Sequence, residues 1–343
     1  MSRSQTFLGK HSYWAILIVA LLLPLLDLVL PRELSFADSL QQIFIFAILG
    51  LGLNVVTGYT GMLHLGATGF MAIGAYAYAI LTCDIYPFQL GFFSAAGLAL
   101  LIGAFAGVIL GLPIMRLTGD YLAIVTLGFG EIVQSLLRNV ETVTKGTQGI
   151  NPLPPPNVFG YEFDPAFYQP RYYLFLLILF LVVLLVRNLE HSRVGRTWIA
   201  IREDELAGKC MAIPVSRSRL LALAVGSAIC SLAGALYAAY LGSSGEPGNY
   251  DFQISITALC IVIVGGMGSI RGVLLGALLM VGFNSIFLVK LSELLMRRGL
   301  IQSGSVFFSP SNWKFFIFGM ALVLVMRLKP DGLFGERELE TDA

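Results

Sequence analysis

Long apolar runs recur along almost the whole chain, and they leave few folds open to it. A bilayer core needs about 20 apolar residues per spanning helix, and only 13% of these 343 residues are charged, against about a quarter in soluble domains. The sequence therefore predicts one membrane domain, 1–343, an all-α bundle of about ten spans with glycine-broken helices. The predicted spans are 14–30, 39–57, 62–81, 92–115, 119–138, 172–187, 219–241, 253–268, 271–289 and 312–328.

One densely charged segment, residues 188–219, interrupts the apolar pattern. It reads NLEHSRVGRTWIAIREDELAGKCMAIPVSRSR, with basic residues on both sides of an acidic triplet. Lys and Arg concentrate in the cytoplasmic loops of membrane proteins, so we expect the charged segment to lie in the cytoplasm. Arg3 and Lys10 place the N-terminus on the same side, and about ten spans bring the tail, 329–343, back to it.

The loop 139–171 is predicted to lie on the outer side of the membrane. It contains the proline-rich run 151–156 and several aromatic side chains but few basic residues, which is typical of an extracytoplasmic loop. The shorter loop 242–252, with Glu246 and Asp251, is expected on the same side.

Two stretches, 54–76 and 260–279, look like helices that break at a pair of glycines and then resume. In transporters, paired glycine-interrupted segments point to a translocation path, where unwound backbone lines a cavity. Two tight turns between ordinary helices would give the same pattern, and the sequence leaves both interpretations open. The glycines are Gly58 and Gly61 in the first stretch and Gly265 and Gly268 in the second.

Two ionisable residues inside predicted spans, Glu131 and His64, are candidates for the translocation path. A carboxylate at the depth of Glu131 costs roughly 2.5–3.5 kcal/mol on insertion, so its side chain is expected to face the bundle or a wet cavity. It either bonds a neighbouring helix, which is the favoured interpretation, or forms part of a polar translocation path. His64 is expected to be a packed, hydrogen-bonded wall residue of that path rather than a ligand, because no second His, Asp or Glu accompanies it locally.

Several chemistries are excluded by missing motifs. The chain contains no GxxxxGKS/T phosphate loop, no HExxH and no GxSxG, so it cannot hydrolyse ATP by a P-loop mechanism and offers no catalytic constellation. Its four cysteines are scattered, which argues against a zinc site or a disulfide framework, and it has no basic domain for nucleic acid. We expect no enzymatic activity, cofactor or metal, and uphill transport by ATP would need a separate ATPase.

Several blocks of the sequence together form a recognisable pattern. They are GDYLAIVTLGFGEIVQSLLRN followed by TKGTQGI, then GRTWIAIREDELAGKCMAIPVSRSRLLAL with AGALYAAYLG, then IVIVGGMGSIRGVLLGA, and finally RLKPDGLFG. In this order they cover most of residues 50–335. The chain resembles the permease subunits of branched-chain amino-acid ABC importers, the LivM-like permeases.

The resemblance implies an assembly as well as a fold. Such permeases are all-helical, multi-pass proteins of the bacterial cytoplasmic (inner) membrane that pair with a second, similar permease subunit of the LivH type. Two cytoplasmic ABC ATPases bind the pair, and a periplasmic or extracellular solute-binding protein delivers the solute. By this resemblance the chain forms, within membrane lipid, the translocation path for branched-chain or related amino acids. Urea or short amides are the alternative solute.

The resemblance also points to residues in the charged segment that contact the ATPase through a coupling helix. The apolar residues Ile199, Leu206, Cys210 and Ile213, at spacings of seven, four and three, predict one face of such a helix, ended by Pro214. A loop that only fixes topology is the simpler alternative, although topology needs only basic residues. The residues that match the family's signature are Arg202, Glu203, Asp204, Glu205, Ala207, Met211 and Ile213.

A stand-alone, ion-coupled secondary transporter or channel is the second hypothesis. It predicts transport by the purified chain driven by an ion gradient, whereas an ABC permease predicts co-purification with an ATPase and a second permease. Ion-coupled carriers usually need ionisable groups inside the membrane, and Glu131 is the one that stands out in this sequence. The ABC permease is therefore favoured.

Charge reversal at Glu203 and Glu205 together is expected to abolish uptake while leaving membrane insertion intact, because directed contacts with a soluble partner depend on such charges. Uptake of a labelled solute and the amount of chain in the membrane fraction measure the two effects. Normal transport by the double variant would remove the coupling hypothesis.

Overall fold

The computed structural model describes residues 37–115, 117, 119–158, 161–163, 168–291, 313–329 and 332–333. The predicted first span, the basic N-terminus and almost all of the tail lie outside these residues. The predicted cytoplasmic position of both termini therefore stays a prediction.

The described chain is almost entirely helical, as predicted. Ahead of the charged segment its helices are α1 (Ala37–Leu53, continued by the π-helical turn Asn54–Gly58), α2 (Ala67–Thr82), α3 (Phe92–Ile114), α4 (Asp120–Asn139), α5 (Glu141–Thr144) and α6 (Tyr168–His191). From the charged segment onwards they are α7 (Arg193–Glu203), α8 (Glu205–Cys210), α9 (Val215–Leu241), α10 (Phe252–Gly265), α11 (Ile270–Gly282, continued by the π-helical turn Phe283–Leu288) and α12 (Lys314–Leu328). The connections contain the 3-10 turns Gly146–Gln148 and Pro247–Asn249 and one antiparallel pair of two-residue strands, β1 (Asn157–Val158) and β2 (Tyr161–Glu162).

Seven helices within the described residues are long and apolar enough to cross a bilayer. They are Ser39–Gly58, Phe92–Ile114, Tyr121–Asn139, Gln169–His191, Val215–Leu241, Pro247–Gly265 and Ile270–Leu291. Helix α2 is apolar but shorter, with 16 residues. The protein is a multi-pass membrane protein, and each apolar run predicted after the first falls on a helix. The full count of about ten spans stays a prediction.

Helix α9 lies at the centre of the bundle and packs against α1, α2 and α3. Small residues let membrane helices approach this closely. A Cβ added at Gly74 of α2 would overlap the carbonyl oxygen of Ser231, and one added at Gly107 of α3 would overlap the hydroxyl oxygen of Ser227. The Ser231 hydroxyl in turn donates to the carbonyl oxygen of Ala99 at 2.6 Å. The four helices are therefore held backbone to backbone.

The two ends of the bundle carry different connections. At one end, which we call the charged end, the turns after α1 and α10 lie beside the charged segment. At the opposite end the two predicted outer loops are bonded together, since the backbone N of Ile150 donates to Ser244 Oγ at 2.8 Å and that of Leu153 to Gly242 O at 2.9 Å. The predicted outer loops thus share one end, as the topology prediction requires.

Replacing Gly74 by alanine is expected to destabilise the bundle, because the new methyl group must push α2 away from α9, and overpacking of this kind costs about 1–3 kcal/mol. The melting temperature of the purified protein in detergent should fall by a few degrees. Gly97→Ala in α3 is the control, since a Cβ there has no neighbour within 4 Å among the described residues. Equal melting temperatures for the two variants would contradict the close contact.

Candidate functional site

The charged segment folds into two short helices with a sharp break between them. Ser192 caps α7, its hydroxyl accepting from Gly195 N at 3.2 Å. Asp204, with extended backbone, caps α8 and accepts from Leu206 N at 2.7 Å and from Ala207 N at 3.0 Å. Aspartate is among the strongest N-caps, so it stops one helix and starts the next. The prediction of a single helix face was wrong for this reason.

Both short helices are fixed to the start of α9. The buried Trp198 donates through Nε1 to Ser218 O at 2.9 Å. Glu205 forms ion pairs with Lys209 at 2.8 Å and with Arg219 at 2.7 Å. These hydrogen bonds and charges hold the pKa of the Glu205 carboxyl below its usual value, so the ion pairs are intact at neutral pH and weaken only as the pH falls through that lowered pKa.

Arg202 points from the charged segment into the membrane domain and touches both predicted helix breaks. Its Nη1 donates to the carbonyl oxygen of Gly58 at 2.9 Å. A Cβ built on Gly61 would lie 3.3 Å from Arg202 Cγ, and one built on Gly268 would lie 3.0 Å from Nη1. A hydrogen bond from a charged donor contributes about 1.5–3 kcal/mol, so this contact is strong enough to tie the two regions together.

The two turns are also bonded to each other directly. Asn54 Oδ1, in the π-helical turn after α1, accepts from the backbone N of Gly268 at 2.9 Å. Gly61 and Gly268 have φ values of +71° and +85°, a region that side chains rarely adopt. A Cβ on Gly58 would lie 2.7 Å from Gly268 N. We call the set Asn54, Gly58, Gly61, Arg202 and Gly268 the Arg202 junction.

The two glycine stretches have different forms. The second is a tight turn between α10 and α11, whereas the first is an irregular connection, 61–66, between the end of α1 and α2. Gly265 lies just before the second turn, where its Cα packs against the backbone of Gly272 across the α10–α11 hairpin. A role of these glycines in a translocation path stays a prediction, and they lie at the cytoplasmic mouth of such a path if the charged end is cytoplasmic.

His64 is a packed wall residue, but the expected hydrogen bond is missing at one of its nitrogens. Its ring is 2% exposed and lies 5.6 Å from the ring of Phe70. The buried Nδ1 has no hydrogen-bond partner among the described residues. The side chain is therefore held by packing, in the connection between the Arg202 junction and α2.

Glu131 lies on the exposed face of α4, together with Ser135 and Arg138. Within the described part of the chain its carboxylate has no hydrogen bond or ion pair. The expected bond to a neighbouring helix is therefore not made within these residues. Among the described residues nothing covers this carboxylate, so the structural and the polar-path interpretations of Glu131 both stay predictions.

The outer surface of α8 carries large apolar side chains that nothing in the described chain covers. Leu206 is 71% exposed and Met211 78%. Ala207 and Glu203 are exposed beside them, whereas Ile213 is half-buried. Exposed apolar side chains rimmed by charge mark an interaction surface. We call Glu203, Leu206, Ala207 and Met211 the α8 surface.

The comparisons with known proteins identify what kind of protein carries this site. A family model described as "Branched-chain amino acid transport system / permease component" matches residues 35–326. The chain belongs to this family of permeases. It is 39% identical over 317 residues to the high-affinity branched-chain amino acid transport system permease protein LivM of Salmonella typhimurium, covering 86% of this chain and 69% of that protein.

Two more distant relatives are also permease proteins. A probable branched-chain amino acid transport permease protein LivM of Methanocaldococcus jannaschii is 28% identical over 71% of this chain and 68% of its own length. The permease protein LivH of Escherichia coli is 21% identical over 89% of this chain and 98% of its own length. No solved structure matches the chain.

Three residues of this permease's site were missed by the sequence reasoning. Asn54 was visible as a lone amide in an apolar run, which is a signal for interhelical bonding. Trp198 and Arg219 gave no such signal, because their partners are set by how the charged segment folds back on α9. Of the signature residues, Arg202 and Glu205 are bonded to the rest of the protein. Reversing the charge of Glu205 therefore has a structural effect that reversing Glu203 lacks.

Arg202→Ala is expected to loosen the Arg202 junction, because Gly58 O loses its charged donor and the gap beside Gly61 and Gly268 opens. Hydrogen–deuterium exchange should become several-fold faster in peptides spanning both turns. Arg193→Ala, an exposed arginine of α7, is the matched control and should leave both turns unchanged. Unaltered hydrogen–deuterium exchange around Gly268 in the Arg202 variant would show that the Arg202 contact does not stabilise these turns.

Proposed function

We propose that the chain is the transmembrane permease subunit of an ABC importer, that it forms part of the translocation path for branched-chain or related amino acids, and that separate ATPases power it from the cytoplasm. Family membership supports the class of protein. The observation that carries the mechanism is the contact of Arg202 with both helix turns, since it links the charged segment to the membrane domain.

The α8 surface is the proposed ATPase contact. Burying Leu206 and Met211 in a groove of a partner would remove their exposed apolar area from water, at about 25 cal/mol per Å². Glu203 and Lys209 at the rim would orient the partner by charge. An apolar centre with a charged rim fits a coupling helix better than a loop that only fixes topology, because a topology signal needs no apolar side chains.

Coupling would follow from how rigidly the charged segment is held. Trp198 and the Glu205–Arg219 ion pair tie it to α9. A displacement of α8 by a closing ATPase dimer would therefore move α7, α8 and the start of α9 together. Arg202 would pass that displacement to the turns after α1 and α10, and the α10–α11 hairpin would tilt with it. Two-state rocking of packed elements about a central site is the usual way in which transporters alternate access.

A second permease subunit, similar to this chain, is proposed to cover α4. The exposed Glu131, Ser135 and Arg138 form a polar row on a membrane-length helix, and lipid tails would be a costly neighbour for them. A water-filled path between two permeases would accommodate the row. The LivH relative, itself a permease of the same family, is the model for such a partner.

The remaining partners and the location follow from the same family. A solute-binding protein would dock at the end opposite the charged segment, where the loops 139–158 and 242–251 form one bonded surface. The cytoplasmic membrane of a bacterium is the proposed location. A stand-alone ion-coupled carrier is not favoured, because the charged segment then has no reason to expose Leu206 and Met211.

Leu206→Asp combined with Met211→Asp is expected to reduce both leucine uptake and the ATPase recovered with the permease at least about tenfold, since charges would enter the apolar centre of an interface. Uptake in proteoliposomes and the ratio of ATPase to permease after affinity purification measure this. Ile85→Asp is the control, an exposed apolar residue at the opposite end of the bundle, and it should leave both quantities unchanged. Leucine uptake by the purified chain alone, driven by an ion gradient, would overturn the proposed function.

A further inference from the structure

A polar cavity of about 260 Å³ opens at the end of the bundle opposite the charged segment. It lies among the start of α1, the end of α9, the 3-10 turn Pro247–Asn249, the start of α10 and the end of α11. Its volume is far above the roughly 10–15 Å³ that a single water molecule needs. We call it the outer cavity.

Polar groups in the lining of the outer cavity can bind both signs of charge. Asp251 caps α10 through Oδ1, which accepts from Gln253 N at 3.1 Å and Ile254 N at 3.3 Å, and this leaves Oδ2 as an acceptor for a cation. Gln42 accepts through Oε1 from Ser285 Oγ at 2.9 Å, and this leaves its amide NH₂ as a donor to an anion. Amide and carboxylate groups together therefore match an ammonium and a carboxylate on one small molecule.

More donors and acceptors come from the 3-10 turn and from the π-helical turn after α11. The Asn249 and Asn284 carboxamides line the cavity with the Thr257 hydroxyl. Neither carboxamide group has a hydrogen bond to another described residue. Asn284 lies in the π-helical turn Phe283–Leu288, and such local widenings of a helix are frequent at functional sites.

Apolar side chains line the same cavity. They are Phe46 of α1, Tyr237 of α9, Ile254 of α10 and Val281 of α11. An aliphatic side chain of three or four carbons would lose its contact with water against them. The cavity thus combines polar groups that fit a zwitterion with apolar side chains that suit an aliphatic chain.

We propose that the outer cavity is a binding site for a free α-amino acid with an aliphatic side chain, placed within this one subunit before the solute reaches the path between subunits. Asp251 binds the ammonium group, the carboxamides of Gln42 and Asn284 bind the carboxylate, and the aliphatic chain lies against Phe46 and Val281. This inference rests on the proposed function for the class of solute. It goes beyond it by assigning the residues that recognise the solute.

The outer cavity lies where a solute that enters from the outer side would bind before it reaches the path between subunits. Its rim includes Gly248, whose carbonyl oxygen accepts from Gln134 Nε2 of α4 at 3.5 Å. Arg138 of α4 lies beside the same glycine. The rim of the outer cavity is therefore continuous with the polar row on α4 that contains Glu131.

The negative charge of Asp251 distinguishes a zwitterionic solute from a neutral one. A zwitterionic amino acid needs the carboxylate for its ammonium group, whereas urea or a short neutral amide would be bound by the carboxamides alone. Asp251→Asn removes the charge and keeps a good N-cap for α10. The helix start is thereby preserved, so the variant tests recognition rather than folding.

The test uses the complete importer, the permease pair with ATPases and the solute-binding protein, in right-side-out vesicles. Gln253→Cys, at an exposed residue of the cavity lining that is given no part in binding, is introduced together with Cys210→Ser, which removes the exposed native thiol, and a membrane-impermeant maleimide is added outside. Millimolar leucine should slow the labelling of this cysteine at least about fivefold, and urea should not. Phe88→Cys, in an exposed loop at the same end, is the control whose labelling leucine should not alter.

Asp251→Asn should abolish the protection by leucine and raise the leucine KM about tenfold without changing the ATPase rate of the importer. Asp84→Asn, the same charge change at an exposed site away from the cavity, should change neither. Import of leucine by the unaltered complex without any protection, or protection that survives Asp251→Asn, overturns this inference alone. A complex that imports urea but no aliphatic amino acid overturns the proposed function, and this assignment with it.

Discussion

The bond from Arg202 to the carbonyl oxygen of Gly58 is the one interaction on which the site depends. This backbone carbonyl is free to accept it because the helix ends at residue 60, and the last carbonyl groups of a helix have no partner within it. The same guanidinium reaches Gly268, which is separated from Gly58 by more than half of the chain. The turns after α1 and α10 are thereby joined to each other and to the charged segment, and no single local helix contact could do this.

The family signature in the charged segment divides into two physical tasks. Arg202 and Glu205 form bonds that fix the segment against the turns and against α9. Glu203 and Met211 are exposed beside Leu206, and nothing among the described residues covers them. A segment that is fixed to its own protein on one side and exposes a binding surface on the other is suited to transmit movement from a partner protein.

The sequence predicted the membrane spans well and the site only in part. Length and hydropathy suffice for a span, because each helix satisfies its own backbone within lipid. The break at Asp204 was missed because a capping side chain overrode an apolar pattern that fits one helix. The meeting of Gly58 and Gly268 depends on packing between distant helices, which no local spacing encodes. Glu131 was expected to bond within the bundle, but its surroundings are not determined by the helices next to it among the described residues.

The length of α9 has a consequence for how the importer meets lipid. Its 27 residues extend about 40 Å, roughly 10 Å more than the hydrocarbon thickness of a bilayer. Arg217 and Arg219 lie in the first turns of this overhang, at the depth of the phosphate headgroups if the charged end is cytoplasmic. Because Trp198 and Glu205 hold the charged segment to these same turns of α9, the segment would lie at the level of the headgroups, where anionic lipid can pair with the Arg217 side chain.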